Sequence, residues 1–234
     1  MSVEPPAHRH PRHAIVVASG GLDSTVLAYW LAACRAELTL LSFDYGQRHR
    51  IELDHAAGIA AVLGCPHEIV NLAELGRLLT GSALTDADVS VPDGHYTDES
   101  MRATVVPNRN AIMLDIAVAV AVARKADAVA FGAHAGDHAI YPDCRPEFVK
   151  RFALSARAAN ENLLAEDFEV LAPFLALSKT DIVRLGAALA VPFERTWSCY
   201  RGGTAHCGTC GTCTERREAF EHNDITDPTT YRAA

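Results

Sequence analysis

An apolar run followed at once by a glycine turn is the feature that most constrains how this chain can fold. Residues 14–17 predict a buried strand that ends at Ser19, and apolar residues recur at helical spacing from Val26 to Leu31. Gly20 and Gly21 lie between them and allow backbone to approach a ligand where a Cβ would collide. The pattern predicts a strand, a tight turn and a helix.

The start of this predicted helix is a candidate phosphate site. Asp23, Ser24 and Thr25 fall where unpaired N–H groups and the positive end of the helix dipole attract phosphate. Neither the Gly-Lys-Ser/Thr of the Walker loop nor the Gly-x-Gly-x-x-Gly of dinucleotide folds is present here. We therefore expect a different nucleotide-phosphate cradle, and a capped helix without a ligand is the alternative.

Apolar runs and helical patterns alternate along the rest of the chain. Further strands are predicted at 37–45, 68–71, 128–131 and 168–171, and helices at 51–63, 111–123, 146–160, 182–190 and 214–222. This alternation predicts an α/β fold, with a parallel five-stranded sheet flanked by helices on both faces. The polar segment 81–102 and the loop 132–145 are long enough to be lids or binding elements.

Length, charge and composition exclude several classes of protein. The 234 residues suffice for one sizeable core, so we expect a disordered arm at 1–12, a catalytic domain at 13–192 and a small lobe at 193–234. The net charge of −8 argues against a large nucleic-acid footprint. No apolar run reaches membrane-spanning length, and the first twelve residues lack the apolar region of a secretory signal. We expect a cytoplasmic protein with reduced cysteines that binds neither nucleic acid nor a membrane.

Four of the seven cysteines crowd near the C-terminus with seven, two and two residues between them. They are Cys199, Cys207, Cys210 and Cys213. Four thiolates close a tetrahedral Zn²⁺ site with no open position, so the predicted zinc lobe is structural. An iron–sulfur cluster uses the same number of thiolates, and free reduced thiols are the third alternative.

The glycine turn Ser-Gly-Gly-Leu-Asp-Ser-Thr at 19–25 resembles the PP-loop of the ATP pyrophosphatases. Further matching stretches are Phe-Asp-Tyr-Gly-Gln-Arg-His at 43–49, Val-Pro-Asn-Arg-Asn at 106–110, Tyr-Pro-Asp-Cys-Arg-Pro-Glu-Phe-Val-Lys at 141–150 and Ser-Lys-Thr-Asp at 178–181. Together with the cysteine cluster they make the chain similar to the QueC family. The resemblance implies a PP-loop fold, related to the adenine nucleotide alpha hydrolases, and a homodimer.

The resemblance also implies a reaction. A member of this family is an ATP-dependent ligase that converts 7-carboxy-7-deazaguanine and ammonia to 7-cyano-7-deazaguanine in queuosine biosynthesis. The acid is adenylated, captured by ammonia as an amide, adenylated again and dehydrated to the nitrile. Adenylation is needed because a carboxylate would otherwise have to expel oxide, which is a poor leaving group.

The expected ATP site comprises the PP-loop and two residues from elsewhere in the chain. These residues are Ala18, Ser19, Gly20, Gly21, Leu22, Asp23, Ser24, Thr25, Asp44 and Lys179. Asp23, Lys179 and Arg109 are the candidate catalytic residues. Asp23 is expected near Mg²⁺, which prefers oxygen ligands, and Lys179 is expected to stabilise the α-phosphate transition state. Arg109 is expected to bind a phosphate or the substrate carboxylate, since arginine recognises such anions bidentately. For both Lys179 and Arg109, the alternative is an exposed side chain at the start of a helix.

The deazapurine substrate is expected among polar residues at the strand ends. The candidates are Gln47, Arg48, Asn110, His134, Asp137, Tyr141, Asp143 and Arg145. A carboxylate such as Asp143 or Asp137 can accept the adjacent N–H groups of a guanine-like edge. Tyr141, or Trp197 and Tyr200, can stack on the base. His134 and His138, four apart, have the spacing of a metal pair, but we favour a hydrogen-bonded or substrate-facing His134.

Two other functions are compatible with parts of the sequence. A PP-loop tRNA-modifying enzyme would also adenylate a carbonyl-type oxygen, and Cys144 would then be its candidate thiol. A zinc-knuckle nucleic-acid module would need a basic face with interleaved aromatic residues. Only Arg201 is basic between Cys199 and Cys213, so the second alternative has little support.

Overall fold

Five parallel strands form a single sheet in the computed structural model, which describes residues 9–95 and 102–232. The strands are β1 His13–Val17, β2 Glu37–Asp44, β3 His67–Asn71, β4 Ala128–Ala130 and β5 Glu169–Leu171. They lie in the order β3-β2-β1-β4-β5, and every neighbouring pair is parallel. The predicted five-stranded parallel sheet is confirmed.

The helices of the described residues follow the strands in alternation. They are α1 Leu22–Ala33, α2 Glu52–Leu63, α3 Ala73–Gly76, α4 Arg109–Arg124, α5 Pro146–Ala159, α6 Lys179–Ala188 and α7 Gly211–Glu221. The short helix α3 and single 3₁₀ turns at Ala135–Asp137, Pro142–Cys144 and Phe193–Arg195 were not predicted. Within the described residues, no helix combines the length and the apolarity needed to span a membrane.

Alternate residues of each central strand point into two separate cores. Ala14 and Val16 of β1 pack with α1 and α6, whereas Ile15 between them packs with α4. Ala128 and Ala130 of β4 join the first core and Val129 joins the second. Because side chains of a strand alternate between faces, this division shows that helices cover both faces of the sheet.

The described end of the predicted disordered arm contacts the sheet. The Asp127 carboxylate accepts the backbone N–H groups of Arg12 and His13 at 3.0 and 2.8 Å. Arg9 pairs with the same carboxylate and with Asp167 at 2.5 and 2.7 Å. These contacts tie residues 9–12 to the loops before β4 and β5, and residues 1–8 lie outside the described part of the chain.

The segment predicted as a long loop at 81–102 packs against the cysteines where it is described. Ala83 and Val91 share a small core with Trp197, Cys199 and Cys210. We call residues 197–232 the cysteine lobe. The described part of the loop, up to residue 95, therefore joins this lobe to the sheet domain; residues 96–101 are outside the description.

The strand order fixes where a ligand can enter. The chain leaves β1 toward β2 on one side of the sheet and later returns to place β4 on the other side of β1. In open α/β sheets the crevice at such a reversal, outside the carboxyl ends of the strands, is the ligand site. The glycine turn follows β1, and the loop that begins at Phe131 follows β4, so both flank this crevice.

Candidate active site

A cleft of about 420 Å³ opens at the reversal between β1 and β4. It is lined by many of the residues that were predicted to bind ATP or substrate: Ala18, Ser19, Gly21, Leu22, Asp23, Ser24, Arg109, Asn110, His134, Asp137, Tyr141 and Lys179. These residues come from the ends of β1 and β4 and from the starts of α1, α4 and α6. The fold thus brings distant sequence segments to one cavity.

The glycine turn is held by hydrogen bonds between its own serines. The Ser19 hydroxyl lies 3.1 Å from the Ser24 hydroxyl, and the backbone N–H of Ser19 donates to the same oxygen at 3.2 Å. Gly20 has φ +75°, and a Cβ there would lie 2.2 Å from the backbone oxygen of Glu52. Glycine is required at this position because α2 abuts the turn, a reason that the sequence did not reveal.

Thr25 and Gly20, although predicted to bind ATP, do not line the cleft. Thr25 is buried in the first turn of α1, where its N–H bonds the carbonyl of Gly21 at 3.1 Å. Gly20 accepts the backbone N–H of Trp197 at 2.9 Å, which ties the turn to the cysteine lobe. Both residues shape the turn from behind its ligand-facing surface.

Lys179 and Asp23 form an ion pair inside the cleft. The Lys179 Nζ lies 2.6 Å from Asp23 Oδ2 and 3.5 Å from Glu215 Oε2. Lys179 begins α6 directly after the Ser178 N-cap, which exchanges hydrogen bonds with Asp181. This capping box fixes the helix start and directs the lysine across the cleft to the glycine turn. The lysine is therefore a cleft residue, in contrast to the exposed alternative.

The two partners shift each other's pKa in the expected directions. Burial alone would raise the pKa of Asp23, but the ammonium of Lys179 and the proximity of His134 lower it below the usual range. Burial would lower the pKa of Lys179, yet Asp23 and Glu215 raise it above its ordinary value. Asp23 Oδ1 is buried without a hydrogen-bond partner among the described residues, so this oxygen is available to a metal ion.

Arg109 and Asn110 lie at the start of α4, on the opposite wall. The Arg109 guanidinium donates to the Tyr45 hydroxyl at 3.5 Å, and both residues line the cleft. Asp143 accepts the backbone and side-chain N–H groups of Asn110 at 3.0 and 3.2 Å. Asp143 itself is not a wall residue of the cleft; it orients Asn110.

His134 and Asp137 cap a 3₁₀ turn at the end of β4. His134 Nδ1 accepts the N–H of Gly136 at 3.1 Å, and Asp137 Oδ2 accepts the N–H of His134 at 3.0 Å. His134 is thus hydrogen-bonded, as we favoured, and both side chains face the cleft. Tyr141 is also a wall residue, and its hydroxyl lies 2.7 Å from that of Thr104.

Four predicted site residues are absent from the cleft wall, and each makes hydrogen bonds or an ion pair with the surrounding loops. Arg48 donates to the carbonyls of Asp86 and Val89 at 2.7 and 3.0 Å. Arg145 donates to the carbonyl of His138 at 2.7 Å. The remaining two are Asp44, the last residue of β2, and Gln47 in the turn that follows. Asp44 pairs with Arg50 at 2.5 Å, and Gln47 is buried with its amide fully hydrogen-bonded.

The cleft also contains ionisable residues that were not among the predicted site residues. His49 comes from the turn after β2, Glu52 from the start of α2, and Glu215 from α7. Glu52 is buried, and this burial raises its pKa to about 8 even though the Gln47 hydrogen bond and the charge of Arg109 lower it. Ionisable groups with strongly shifted pKa values in a cleft indicate a functional site. This signal depends on burial, so it can be recognised only once the fold is known.

Cys144 has the wrong environment for a reactive thiol. It lines the cleft and accepts the Asn110 side-chain N–H at 3.2 Å. Burial, followed by the carboxylates of Asp137 and Asp143, raises the pKa of this thiol far above its ordinary value. A thiol that stays protonated is a poor nucleophile, so the sulfur-transfer alternative loses its candidate residue.

The four clustered cysteines converge on one point beside the cleft. One Sγ from each of Cys199, Cys207, Cys210 and Cys213 lies within 4.8 Å of the others. No other group of this kind occurs in residues 9–95 and 102–232. Four thiols on one centre fit a closed tetrahedral metal site. Cleft residues alternate with them along the chain: Trp197, Ser198, Tyr200, Thr212, Glu215 and Arg216.

Trp197 and Tyr200, the aromatic residues beside the cysteines, both contact histidine rings. The Trp197 indole lies between the rings of His206 and His55, at centroid distances of 4.2 and 5.4 Å, and donates to the Cys199 carbonyl. The Tyr200 ring lies 5.4 Å from that of His49. Both line the cleft, and the tryptophan is also part of the core of the lobe.

Comparisons with known proteins agree with this geometry. The profile of the family described as "Queuosine biosynthesis protein QueC" matches residues 13–224. A protein of Sinorhizobium fredii named 7-cyano-7-deazaguanine synthase is 60% identical over 217 residues, covering 93% of this chain and 91% of that protein. A Mesorhizobium japonicum protein named 7-cyano-7-deazaguanine synthase 1 is 57% identical, covering 95% and 94%.

Among solved structures, a U34-tRNA thiolase NcsA from Methanococcus maripaludis with its [4Fe-4S] cluster aligns with a TM-score of 0.51 at 17% identity. The alignment covers 92% of this chain and 66% of that chain, which is just under two thirds. At this identity the likeness concerns the fold alone.

A parallel sheet with a Ser-Gly-Gly turn at its reversal, faced by a lysine from a later helix, defines a nucleotide-binding protein of the PP-loop class. Within that class, the family match over residues 13–224 and the 57–60% identity to its relatives are decisive. The chain belongs to the QueC family.

Proposed function

We propose that this protein is a 7-cyano-7-deazaguanine synthase, an ATP-dependent enzyme that joins ammonia to 7-carboxy-7-deazaguanine and dehydrates the amide to the nitrile. The observation that carries this proposal is the identity of 57–60% to proteins of that name over more than nine tenths of the chain. A cleft with a phosphate-binding turn at one end and polar, aromatic walls at the other supports it.

ATP is proposed to lie with its β- and γ-phosphates on the glycine turn. Ala18, Ser19, Gly21, Leu22 and Ser24 would contact the phosphates, while Gly20, Thr25 and Asp44 would act by shaping the turn and its surroundings. The Lys179 ammonium would leave Asp23 for the α-phosphate when the substrate carboxylate attacks, and would stabilise the charge that develops there. Pyrophosphate departs and the acyl adenylate remains.

Asp23 is the proposed ligand of Mg²⁺. Its Oδ1 is buried and unpaired among the described residues, and its carboxylate is the oxygen ligand that Mg²⁺ prefers. The ion would neutralise phosphate charge when bound. Glu215, which lies close to Lys179, would hold the lysine in place as Asp23 turns to the ion.

The deazapurine is proposed to occupy the wall formed by α4 and the loop after β4. The Arg109 guanidinium would bind the substrate carboxylate, and Asn110, Asp137 and His134 would bind the base edge. Tyr141 would stack on the base. Gln47, Arg48, Asp143 and Arg145 would position these groups from outside the wall.

The cysteine cluster is proposed to hold a structural Zn²⁺. Four convergent thiols fit this ion, and bound zinc would lock the cysteine lobe against the cleft. We further propose that residues 13–192 form the catalytic domain and that 193–234 form a C-terminal unit containing the cysteine lobe, with 1–12 as an arm. The enzyme would be a cytoplasmic homodimer that acts on a small molecule without binding nucleic acid.

The test is a direct assay of the reaction. Purified protein is mixed with ATP, Mg²⁺, ammonium and 7-carboxy-7-deazaguanine, and the nitrile is sought by mass spectrometry. The expected result is nitrile formation by the natural sequence and none by Asp23→Ala. Folded, metal-loaded protein that makes no nitrile would overturn the proposal. Elemental analysis separately distinguishes one zinc per chain from iron.

A further inference from the structure

Two buried side chains of the cleft have no part in the roles above. Glu52 Oε1 accepts the side-chain N–H of Gln47 at 3.0 Å. Glu52 Oε2 lies 3.4 Å from His49 Nε2. The Gln47 amide is itself fixed by the carbonyl of Phe43 and the N–H of Tyr45, both at 2.9 Å. This network holds a carboxyl and an imidazole in fixed positions at the cleft wall.

The pair lies between the two ends of the proposed active site. The Glu52 backbone is in contact with the glycine turn, since a Cβ on Gly20 would lie 2.2 Å from its oxygen. On the other side, the charge of Arg109 acts on the pKa of both Glu52 and His49. In the proposed binding mode the bond between the α-phosphate and the acyl group forms between these two ends, which would place the pair beside the reacting carbon.

One polar atom of the pair is left for a ligand. The His49 side chain is about 95% buried, and its Nδ1 has no hydrogen-bond partner among the described residues. A buried nitrogen without a partner is rare in native structures and calls for an explanation. Burial and then Arg109 lower the pKa of His49 to about 3, so the ring is neutral and can accept an N–H hydrogen bond.

Glu52 is the group that can take up a proton. Its pKa of about 8 is near physiological pH, where proton transfer by a general base is most effective. The charged and titratable groups that face it are Arg109 from α4, His49 from the preceding turn and Tyr45 at the end of β2. Burial raises the pKa of Tyr45 to about 12, which leaves Glu52 as the base.

We propose that His49 and Glu52 form the subsite for the ammonia nucleophile, and this inference rests on the proposed function. His49 Nδ1 accepts one N–H of ammonia and directs the nitrogen lone pair at the acyl carbon. The new C–N bond forms, the nitrogen loses one proton to His49 Nδ1, and the proton on His49 Nε2 passes to the Glu52 carboxylate, whose Oε2 lies 3.4 Å away. The C–O bond to AMP then breaks with its electron pair on AMP. Glu52 later releases the proton to solvent.

The two half-reactions can be measured separately. Adenylation is followed without ammonia, by acid-dependent exchange of labelled pyrophosphate into ATP. Amide formation is followed with saturating ammonium by mass spectrometry. We expect Glu52→Gln to keep the exchange rate within about threefold and to lower amide formation by roughly 10²-fold, the usual contribution of a general base. Glu74→Gln is the matched control, since Glu74 is an exposed glutamate.

The pH profile separates a proton acceptor from a merely structural carboxyl. In the natural sequence, amide formation at constant free ammonia rises through about pH 8 as Glu52 ionises. Glu52→Gln removes this inflection. If the variant forms amide at the natural rate with an unchanged profile, the inference is overturned, whereas absent exchange and amide in the natural sequence would overturn the proposed function itself.

Variants at His49 provide an independent arm. His49→Phe keeps a ring but removes the acceptor, so the KM for ammonia is expected to rise about tenfold, which corresponds to one lost hydrogen bond. His49→Asn retains an acceptor and is expected to recover part of the affinity. An unchanged KM in the Phe variant, with pyrophosphate exchange intact, would remove His49 from the subsite.

Discussion

Asp23 and Lys179 are 156 positions apart in the chain, and their side chains meet at 2.6 Å. At the residue scale this ion pair is the clearest sign of what the cleft does. The ammonium is held by the carboxylates of Asp23 and Glu215. We propose that this pair keeps the lysine next to the glycine turn until a triphosphate binds.

Replacing this lysine tests its role. Lys179→Met keeps the length of the side chain and removes its charge, so adenylation is expected to slow by about 10²- to 10³-fold, as for other lost transition-state contacts. Pyrophosphate exchange measures this. Lys150→Met, an exposed lysine of α5, is the control. Equal exchange rates in both variants would show that Lys179 does not contact the reacting phosphate.

Glu52 makes a second residue-scale prediction, on stability. Its folded-state pKa of about 8 is above the ordinary value, so between these two pH values the folded protein binds more protons than the unfolded chain. Stability therefore falls as pH rises through this window, by up to several kcal/mol. Glu52→Gln should flatten this fall in denaturant titrations at pH 6 and pH 9. An identical slope in both proteins would contradict the buried, protonated carboxyl.

At the element scale, α2 is the support on which the phosphate turn rests. Gly20 lies in the turn that contacts the start of α2, whereas Gly64 is the C-cap at the far end of this helix, with φ +65°. Both have left-handed backbone, but a Cβ on Gly64 would meet open space, while one on Gly20 would overlap the backbone of Glu52 and Ala56. A substitution at Gly64 therefore introduces backbone strain alone, whereas one at Gly20 introduces both backbone strain and steric overlap with α2.

Alanine at each position measures the difference. Gly64→Ala should lower the free energy of unfolding by about 1–2 kcal/mol, the strain of one left-handed residue. Gly20→Ala adds displacement of α2 and should cost about 3 kcal/mol or more, with loss of nucleotide binding. Urea titration and equilibrium binding of ATP check both. Similar losses of stability in the two variants would mean that the turn does not depend on α2.

The elements were predictable because their signals are local. Residues 14–17 and 128–131 read as strands from their apolar runs, and the glycine turn identified the phosphate end of the cleft. Their spatial order was not predictable, since nothing local states that β4 pairs with β1. Glu52 was overlooked for the same reason: in the sequence it is one acidic residue at a helix start, and only the fold buries it. The burial of Gln47 and the hydrogen bonds of its amide are likewise tertiary properties, which the sequence could not show.

At the scale of the whole molecule, the cysteine lobe and the cleft share residues, so their structures depend on each other. The Arg216 side chain is fully buried and donates to Asp227, to the Thr196 hydroxyl and to the Phe193 carbonyl. It thereby joins α7 to the segment that enters the lobe and to the tail that leaves it. Arg216 also lines the cleft, so the packing of the lobe and the shape of the cavity depend on the same residue.

Loss of a metal ligand should therefore affect both stability and nucleotide binding. Cys210→Ser removes one of the convergent thiols, and a metal contribution of about 3 kcal/mol corresponds to a fall in Tm of roughly 10 °C. ATP affinity is expected to fall with it. Cys34→Ser, outside the cluster, should change neither. Calorimetry and ATP titration measure both, and a variant that loses metal yet binds ATP normally would separate the lobe from the cleft.

Cysteines and cleft residues alternate along the chain between Trp197 and Arg216. Nucleotide in the cleft is therefore expected to affect metal binding, just as the metal is expected to affect nucleotide binding. Coupling between two binding equilibria is reciprocal. The factor by which the bound ion raises the affinity for ATP equals the factor by which bound ATP raises the affinity for the ion. If the cluster holds the proposed Zn²⁺, we expect enzyme saturated with ATP to keep this ion at chelator concentrations that remove it from the nucleotide-free enzyme.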